Sequence, residues 1–179
     1  NFIDSADSYS AWQGTAGGES ETILGEWMQL RGNRDQMIIA TKVGKAPGLT
    51  DLEPGTIRTG CERSLERLRT DRIDLYYAHE DDPSVPIEDV LGTFAELIAA
   101  GKIRHIAASN FTADRLRESL EISEAQGLPS YIAVQNHYNL IYREEEREMN
   151  PYCSSIEGTE AVSPVCHQCI TCERSHGLP

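Results

Sequence analysis

The chain has few basic residues, few cysteines and no long apolar runs. Its 16 Lys and Arg stand against 29 Asp and Glu, which gives a formal net charge of −13. Nucleic acids and anionic membranes are bound by clustered Lys and Arg. Here the basic residues are scattered among acids, so we expect neither partner. Because no apolar run reaches about 18 residues, we also expect no membrane span.

Cysteine is scarce and unevenly placed. Five cysteines among 179 residues are too few for a disulfide framework. Cys61 stands alone in a predicted helix, and the other four lie from Cys153 onward. This usage favours a reducing compartment and predicts a cytoplasmic protein. The chain also begins at Asn1 beside a strand, with no signal peptide, so we expect an internal segment of a longer protein.

Short apolar strands alternate with amphipathic helices along residues 1–153, which we predict to form one domain. Strands are predicted near residues 2–3, 37–42, 73–79, 102–109 and 131–135. Helices are predicted near residues 19–30, 54–67, 87–100 and 112–126, and another begins within 143–149. This alternation indicates parallel βαβ units and the α/β fold class.

The helices also carry signals for their buried faces and their ends. In the first helix, spacings of three and four predict one buried apolar stripe, made of Ile23, Leu24, Trp27 and Leu30. The second helix is predicted to bury Ile57, Cys61, Ser64, Leu65 and Leu68. Thr112 is the predicted N-cap of the fourth helix, and Gly127 its end.

Four ionisable side chains follow the first three strands. Asp4 and Tyr9 lie just past the first strand, Lys42 ends the second, and His79 ends the third. In a parallel β/α barrel the carboxyl ends of all strands open on one face, so we expect these groups to converge. Taken singly, Asp4 is an ordinary turn acid and Tyr9 a rim aromatic residue. Lys42 is then a strand cap, and His79 a rim histidine. Together they form a proton-donating site for a carbonyl group.

Seven short motifs follow one another in unbroken order over residues 1–151. They are Phe2-Ile3-Asp4-Ser5-Ala6-Asp7-Ser8-Tyr9, Gly18-Glu19-Ser20-Glu21, Ala40-Thr41-Lys42, Asp74-Leu75-Tyr76-Tyr77-Ala78-His79, Gly101-Lys102-Ile103-Arg104, Ser109-Asn110-Phe111 and Val134-Gln135-Asn136-His137-Tyr138-Asn139-Leu140. In this order they resemble the aldo-keto reductases. The resemblance implies a parallel (β/α)8 TIM barrel that binds NADP(H) and reduces aldehydes and ketones. Here it would be an incomplete barrel of about five βα units.

The resemblance also implies roles for the four ionisable residues. Tyr9 would be the general acid, and its usual pKa of about 10 holds the proton too tightly for efficient transfer near neutrality. Lys42 would lower that pKa through its positive charge. Asp4 would pair with Lys42 beside the cofactor, and His79 would orient the substrate carbonyl. Tyr76 is interpreted as a packing residue, as is Tyr77.

Three polar residues resemble the groups that hold the nicotinamide carboxamide of the cofactor, namely Ser109, Asn110 and Gln135. Two other interpretations stand beside this one. The Ser109-Asn110 pair is also typical of a helix N-cap, and Gln135 is a buried amide that needs hydrogen-bond partners. The cofactor implied by the resemblance is NADP, and the partner is a small-molecule carbonyl substrate.

The chain departs from the family pattern in two places. Ser10 follows the tyrosine where a glycine is usual, and the loop through Gly18 is enlarged. We expect this loop to border the substrate, which makes Trp12 a candidate substrate contact. The family's first strand, last two strands and adenosine-phosphate loop have no counterpart here. We therefore expect residues 1–179 alone to show little or no activity.

Residues 154–179 form a cysteine-rich tail with two interpretations. Cys166, Cys169 and Cys172 have the CxxCxxC spacing of a zinc or iron–sulfur site, with His167 and His176 nearby. Alternatively, the tail is out-of-frame translation. Codons for residues 169–178, shifted by one nucleotide, can encode Ala-Leu-Leu-Ala-Ser-Gly-Leu-Thr-Gly-Phe, similar to a segment of aldo-keto reductases. We favour the second interpretation and predict no resident metal.

Two functions compete with the reductase. The barrel family includes non-catalytic, nicotinamide-binding regulatory subunits of channels, so such a subunit is the first alternative. A small metal-binding protein built on the tail is the second.

Overall fold

The computed structural model describes residues 1–156 and 163–164. The strands are β1 (Phe2–Asp4), β2 (Ile38–Val43), β3 (Ile73–Ala78), β4 (Ile103–Ser109), β5 (Tyr131–Gln135) and β6 (Ser163–Pro164). The α-helices are α1 (Glu19–Arg31), α2 (Pro54–Leu68), α3 (Ile87–Ala99), α4 (Ala113–Gln126) and α5 (Met149–Ile156). Among these described residues, no helix is long and apolar enough to cross a membrane.

All six strands are parallel and lie in one sheet in chain order, from β1 to β6. Helices α1 to α4 connect successive strands from β1 to β5. The predicted fold is therefore confirmed: the chain forms an incomplete, curled (β/α)8 barrel. The sixth strand, Ser163–Pro164, pairs with Ala133 and Val134 and was not predicted, because it lies where the apolar pattern has ended.

The two faces of the sheet carry different chemistry. Side chains alternate between faces along a strand, so Ile39, Ile73 and Ile106 point toward the helices and join the main core. The opposite, inner face holds a second, smaller cluster of Ala40, Leu75, Tyr77, Ala107 and Ala133. The same alternation assigns Asp4, Lys42, Ser109 and Gln135 to the inner face at the carboxyl ends of their strands.

The predicted buried stripe of α1 is wrong at its two ends. Ile23 is 65% and Leu30 86% exposed, while Leu24 and Trp27 pack partly against the core. The buried side of the helix instead holds Glu21, Gly25 and Met28. A hydrophobic pattern does not register a buried ion pair or a close helix contact, and these two features set the rotation of α1.

The predictions for α2, α4 and α5 agree with the structure. All five residues predicted on the inner side of α2 are buried. Thr112 caps α4 by accepting a hydrogen bond from the amide of Arg115 at 3.2 Å, and Gly127 ends that helix. The helix predicted to begin within residues 143–149 is α5, which begins at the last residue of that range, and Glu144–Glu146 before it forms a 3₁₀ turn. The α-helix begins at Met149, where Met149 and Cys153 supply one buried face.

Gly25 is the point of closest approach between α1 and α2, which gives a test of the packing. A Cβ atom at this position would overlap the backbone carbonyl oxygen of Arg67. We expect Gly25→Ala to lower the free energy of unfolding by about 1–3 kcal/mol, because backbone atoms must move. Gly92→Ala in α3 is the matched control, since its added methyl group meets nothing within 4 Å. There we expect a gain of about 0.5–1 kcal/mol. Urea denaturation measures both, and equal effects would contradict the packing argument.

Candidate active site

Lys42 lies at the centre of the inner face. Its side chain is fully buried, and its ammonium group makes three hydrogen bonds. Nζ donates to Asp4 Oδ2 at 2.7 Å, to the backbone carbonyl of Ser5 at 2.7 Å and to the hydroxyl of Tyr9 at 3.1 Å. Three of the four predicted residues therefore meet in one hydrogen-bonded group, although they come from the ends of two strands and the loop that follows β1.

His79 lies beside the ring of Tyr9. The two ring centroids are 6.2 Å apart in an edge-on arrangement. The hydroxyl of Ser8 is 3.5 Å from Nδ1 of the histidine, and the side-chain amide of Asn110 donates to the His79 carbonyl at 2.9 Å. The structure thus brings all four predicted residues together at the carboxyl edge of the sheet.

The electrostatics of this group differ from the prediction. Burial, followed by the Asp4 carboxylate, raises the pKa of Tyr9 to about 12. Burial also lowers the pKa of Lys42, against the attraction of Asp4. For Tyr9 this direction is opposite to the lowering that was expected from Lys42, because burial and the Asp4 carboxylate both disfavour the phenolate and so raise the Tyr9 pKa. With a pKa of about 12, Tyr9 is a protonated phenol at neutral pH.

The residues predicted to hold a carboxamide lie directly beside Asp4. Gln135 Nε2 donates to Asp4 Oδ2 at 3.3 Å, and the Ser109 hydroxyl donates to the Gln135 carbonyl at 2.7 Å. Asn110 has a φ of 56°, in the left-handed region, and its side-chain amide donates to Ser109 Oγ at 3.1 Å. Because Thr112 caps α4, the N-cap interpretation of the Ser109-Asn110 pair is not what the structure shows.

Trp12 lies in the 3₁₀ turn Ala11–Gln13 of the loop after β1. Its ring centroid is 6.2 Å from that of Tyr9, and 74% of the residue is exposed. An exposed indole therefore stands beside the phenol at the rim of the site.

The sequence also matches a known family. The sequence profile described as the Aldo/keto reductase family matches residues 1–172. The chain belongs to the aldo-keto reductase family.

Several curated fungal proteins are similar to this aldo-keto reductase. The norsolorinic acid reductase stcV of Emericella nidulans is 37% identical over 165 residues, which cover 87% of this chain and 41% of that protein. The aldo-keto reductase AFTS1 of Alternaria alternata is 31% identical, with 91% of this chain and 50% of that protein covered. The aldo-keto reductase dtxS3 of Metarhizium robertsii is 48% identical over 95 residues, 53% of this chain and 26% of that protein. The chain thus spans half or less of the length of these relatives.

Tyr77 was predicted to be a packing residue, and it packs in the inner-face cluster beside the candidate site of this aldo-keto reductase. The Lys42 ammonium lies 5.5 Å from the centroid of the Tyr77 ring, which is buried on the inner face. The sequence carried a signal for this position, because a residue two positions before His79 shares its face of a strand. Tyr77 therefore forms part of the wall around the ammonium, whereas Tyr76 points to the helices and packs in the main core.

Asp7 was missed by sequence reasoning, and it is the most perturbed carboxyl group near the site. It is only 2% exposed, and neither carboxylate oxygen accepts a well-formed hydrogen bond among the described residues. Burial, followed by the charge of Glu21, raises the pKa of Asp7 to about 7, against the opposing charge of Arg67. No sequence pattern marked this position, because the charged groups near it, Glu21 and Arg67, come from α1 and α2.

The described residues contain no group of three or more His, Cys, Asp or Glu placed to hold a metal ion. The predicted CxxCxxC motif, Cys166 to Cys172, lies outside the described residues, as do His167 and His176. Within the described ranges, Cys61 is buried and free, and Cys153 is buried against Met149. Burial raises the pKa of Cys61 to about 12, so this thiol is not a reactive nucleophile near neutrality.

The raised pKa of Asp7 predicts a pH-dependent stability. In the unfolded chain its pKa is 3.8, and in the folded chain it is about 7. The folded state therefore loses stability as the pH rises through this interval, by an amount on the order of a few kcal/mol. We expect Asp7→Asn to remove this loss, so that the variant gains stability relative to the native protein between about pH 4 and about pH 8.

Urea denaturation at the two pH values measures this gain. Asp114→Asn is the control, because Asp114 is an exposed carboxylate in the first turn of α4. A relative stability of Asp7→Asn that is the same at both pH values would show that the buried carboxyl does not titrate in this interval.

Proposed function

We propose that this chain carries the catalytic site of an NADP(H)-dependent reductase that converts aldehydes or ketones to alcohols. The observation that carries the proposal is the position of Lys42 Nζ, within hydrogen-bond distance of both Asp4 and Tyr9. A phenol, an ammonium and a carboxylate joined in this way form a proton donor whose charge is balanced locally. Membership in the aldo-keto reductase family supports the same chemistry.

In the proposed mechanism Tyr9 donates the proton and its neighbours stabilise what remains. A reduced nicotinamide, when bound here, would supply a hydride for the carbonyl carbon. Tyr9 gives its phenolic proton to the carbonyl oxygen, and the Lys42 ammonium at 3.1 Å stabilises the developing phenolate. Asp4 favours the charged form of Lys42 against the effect of burial. His79, across the Tyr9 ring, is proposed to orient the carbonyl oxygen.

The residues around Gln135 fit a nicotinamide carboxamide. Gln135 Oε1 is buried and accepts no hydrogen bond among the described residues. Such an atom costs free energy unless a donor reaches it, and the amide N–H of a carboxamide is a suitable donor. Ser109 and Asn110 supply polar groups beside it, and Asp4 closes the same edge. The choice of NADP over NAD rests on the resemblance to the family.

The proposed substrate is a small organic carbonyl compound with an apolar or aromatic body. Trp12 supports this, since its exposed indole stands beside the Tyr9 phenol and offers a flat apolar surface. Two of the similar proteins are named norsolorinic acid reductases, from Emericella nidulans and Aspergillus flavus. We propose a carbonyl reduction of the same general type for the protein that contains this chain.

We also propose that the protein works in a reducing, cytoplasmic environment. The support is the cysteine usage together with the buried free thiol of Cys61. Neither the charge of the chain nor its described helices favour a nucleic-acid or membrane partner.

The role of Tyr9 is tested by Tyr9→Phe in the full-length protein. We expect the rate constant for NADPH oxidation with a simple aldehyde to fall about 100-fold or more, because the general acid is lost. The dissociation constant for NADPH should be unchanged, since the ring remains. Tyr152→Phe is the control, because Tyr152 lies in α5 with its ring against the Arg117 guanidinium.

Two results would contradict the reductase. Undiminished turnover in Tyr9→Phe would exclude the phenol as the acid. A native protein that binds NADPH but oxidises none with any simple aldehyde or ketone would favour the non-catalytic regulatory subunit.

The cofactor contact is tested by Gln135→Leu, which removes both polar atoms of the side chain at similar volume. We expect NADPH to bind about tenfold more weakly, the cost of roughly one lost hydrogen bond. Isothermal titration calorimetry measures the affinity. Gln126→Leu, on the exposed last turn of α4, should leave it unchanged. Equal affinities in native protein and Gln135→Leu would remove Gln135 from the cofactor site.

A further inference from the structure

A buried ion pair lies behind the proposed site, on the helix side of the sheet. Glu21 of α1 is fully buried, and Arg67 of α2 reaches it with two nitrogen atoms. Arg67 Nη2 and Nε lie 2.6 and 2.7 Å from Glu21 Oε2. The reaction proposed above does not use this pair. A buried ion pair contributes little net stability compared with apolar packing, which raises the question of what it does.

The carboxylate of the pair, Glu21, is connected to Lys42 through Thr41. Glu21 Oε1 accepts a hydrogen bond from the hydroxyl of Thr41 at 2.5 Å. Thr41 and Lys42 are consecutive residues of β2, so their side chains point to opposite faces of the sheet. Holding Thr41 on the outer face therefore fixes the stretch of backbone that projects Lys42 toward Tyr9 on the inner face.

The guanidinium of the pair, on Arg67, is connected to Tyr9 through Gly18. Gly18 lies directly on the Arg67 side chain, and a Cβ atom there would overlap the guanidinium. Its φ of 86° also favours glycine. The Gly18 amide donates to the backbone carbonyl of Tyr9 at 3.2 Å. Arg67 thus supports the point at which the loop returns to Tyr9.

These contacts form a closed ring through both faces of the sheet. The ring runs from Tyr9 through Gly18, Arg67, Glu21, Thr41 and Lys42 back to the Tyr9 hydroxyl. We propose that the Glu21–Arg67 pair is a positioning device that sets the distance between the Tyr9 phenol and the Lys42 ammonium. This proposal rests on the proposed reductase function, because the distance matters for proton donation.

The ring gives the pair a role that apolar residues could not take. The Thr41 hydroxyl needs a hydrogen-bond acceptor. Gly18 needs a flat side chain beneath it, with no atoms that project toward the glycine backbone. A buried carboxylate bound to a guanidinium fork has one favoured geometry, so it holds both contacts at fixed positions. Misplacing a reacting group by about 1 Å can cost about 100-fold in rate, which gives such a device a measurable effect.

The test compares Thr41→Val with Thr41→Ser in the full-length protein. The valine variant removes the hydroxyl but keeps the ion pair, and the serine variant keeps the hydroxyl. For Thr41→Val and for Glu21→Gln we expect the turnover number to fall at least about tenfold. The Michaelis constant for the aldehyde should stay within about twofold, because the device acts on proton transfer rather than on binding. Thr41→Ser should retain native turnover.

The solvent deuterium isotope effect on turnover distinguishes positioning from simple stability. A misplaced Tyr9 makes proton transfer slower, so the isotope effect should rise in Thr41→Val and Glu21→Gln. A loss of folded protein lowers the rate without changing the isotope effect. Glu96→Gln is the matched control, because Glu96 forms an exposed ion pair with Arg58 between α2 and α3. It should change neither quantity.

Reduced stability in Thr41→Val, with native turnover and a native isotope effect, would overturn the positioning role. If the native protein turns over no carbonyl compound, the proposed function fails, and crystal structures decide the positioning role separately. A separation of Lys42 Nζ and Tyr9 Oη clearly longer than 3.1 Å in Thr41→Val supports it, and an unchanged separation overturns it.

Discussion

The burial of the Lys42 ammonium is the constraint on which the rest of the site depends. A charge removed from water is stable only when other groups replace its hydration. Asp4, the carbonyl of Ser5 and the hydroxyl of Tyr9 supply these hydrogen bonds, and the ring of Tyr77 lies beside the charge. The geometry that places the Tyr9 hydroxyl beside the ammonium is therefore also the geometry that allows Lys42 to be buried at all.

Both faces of the sheet contribute to holding Lys42 in place. The inner face holds the polar residues at the carboxyl ends of four strands, above a small apolar cluster. The outer face packs helices on a much larger core and encloses the ion pair of Glu21 and Arg67. Thr41 and Lys42 are neighbours in β2. The contact that holds Thr41 on the helix side therefore also holds the backbone that carries Lys42 on the inner face.

The sequence allowed much of this to be predicted, for identifiable reasons. Apolar runs of β-type residues locate strands well, and β5 was predicted with its observed bounds. The ends of parallel strands meet at one edge, so Asp4, Lys42 and His79 could be placed together without any coordinates. Helix α1 was harder, because the residues that bury it include a charge and a glycine, which a hydrophobic pattern counts as exposed.

By itself the sequence determined the order of the elements, the parallel sheet and the four residues that meet at its edge. Only the tertiary structure decided the pKa values of the residues at and near this edge. The pKa of Tyr9 rises and that of Asp7 moves to about 7 because desolvation depends on every neighbour that excludes water. Those neighbours come from distant parts of the chain. The ring through Gly18 and Arg67 likewise exists only once α1, α2 and β2 have packed together.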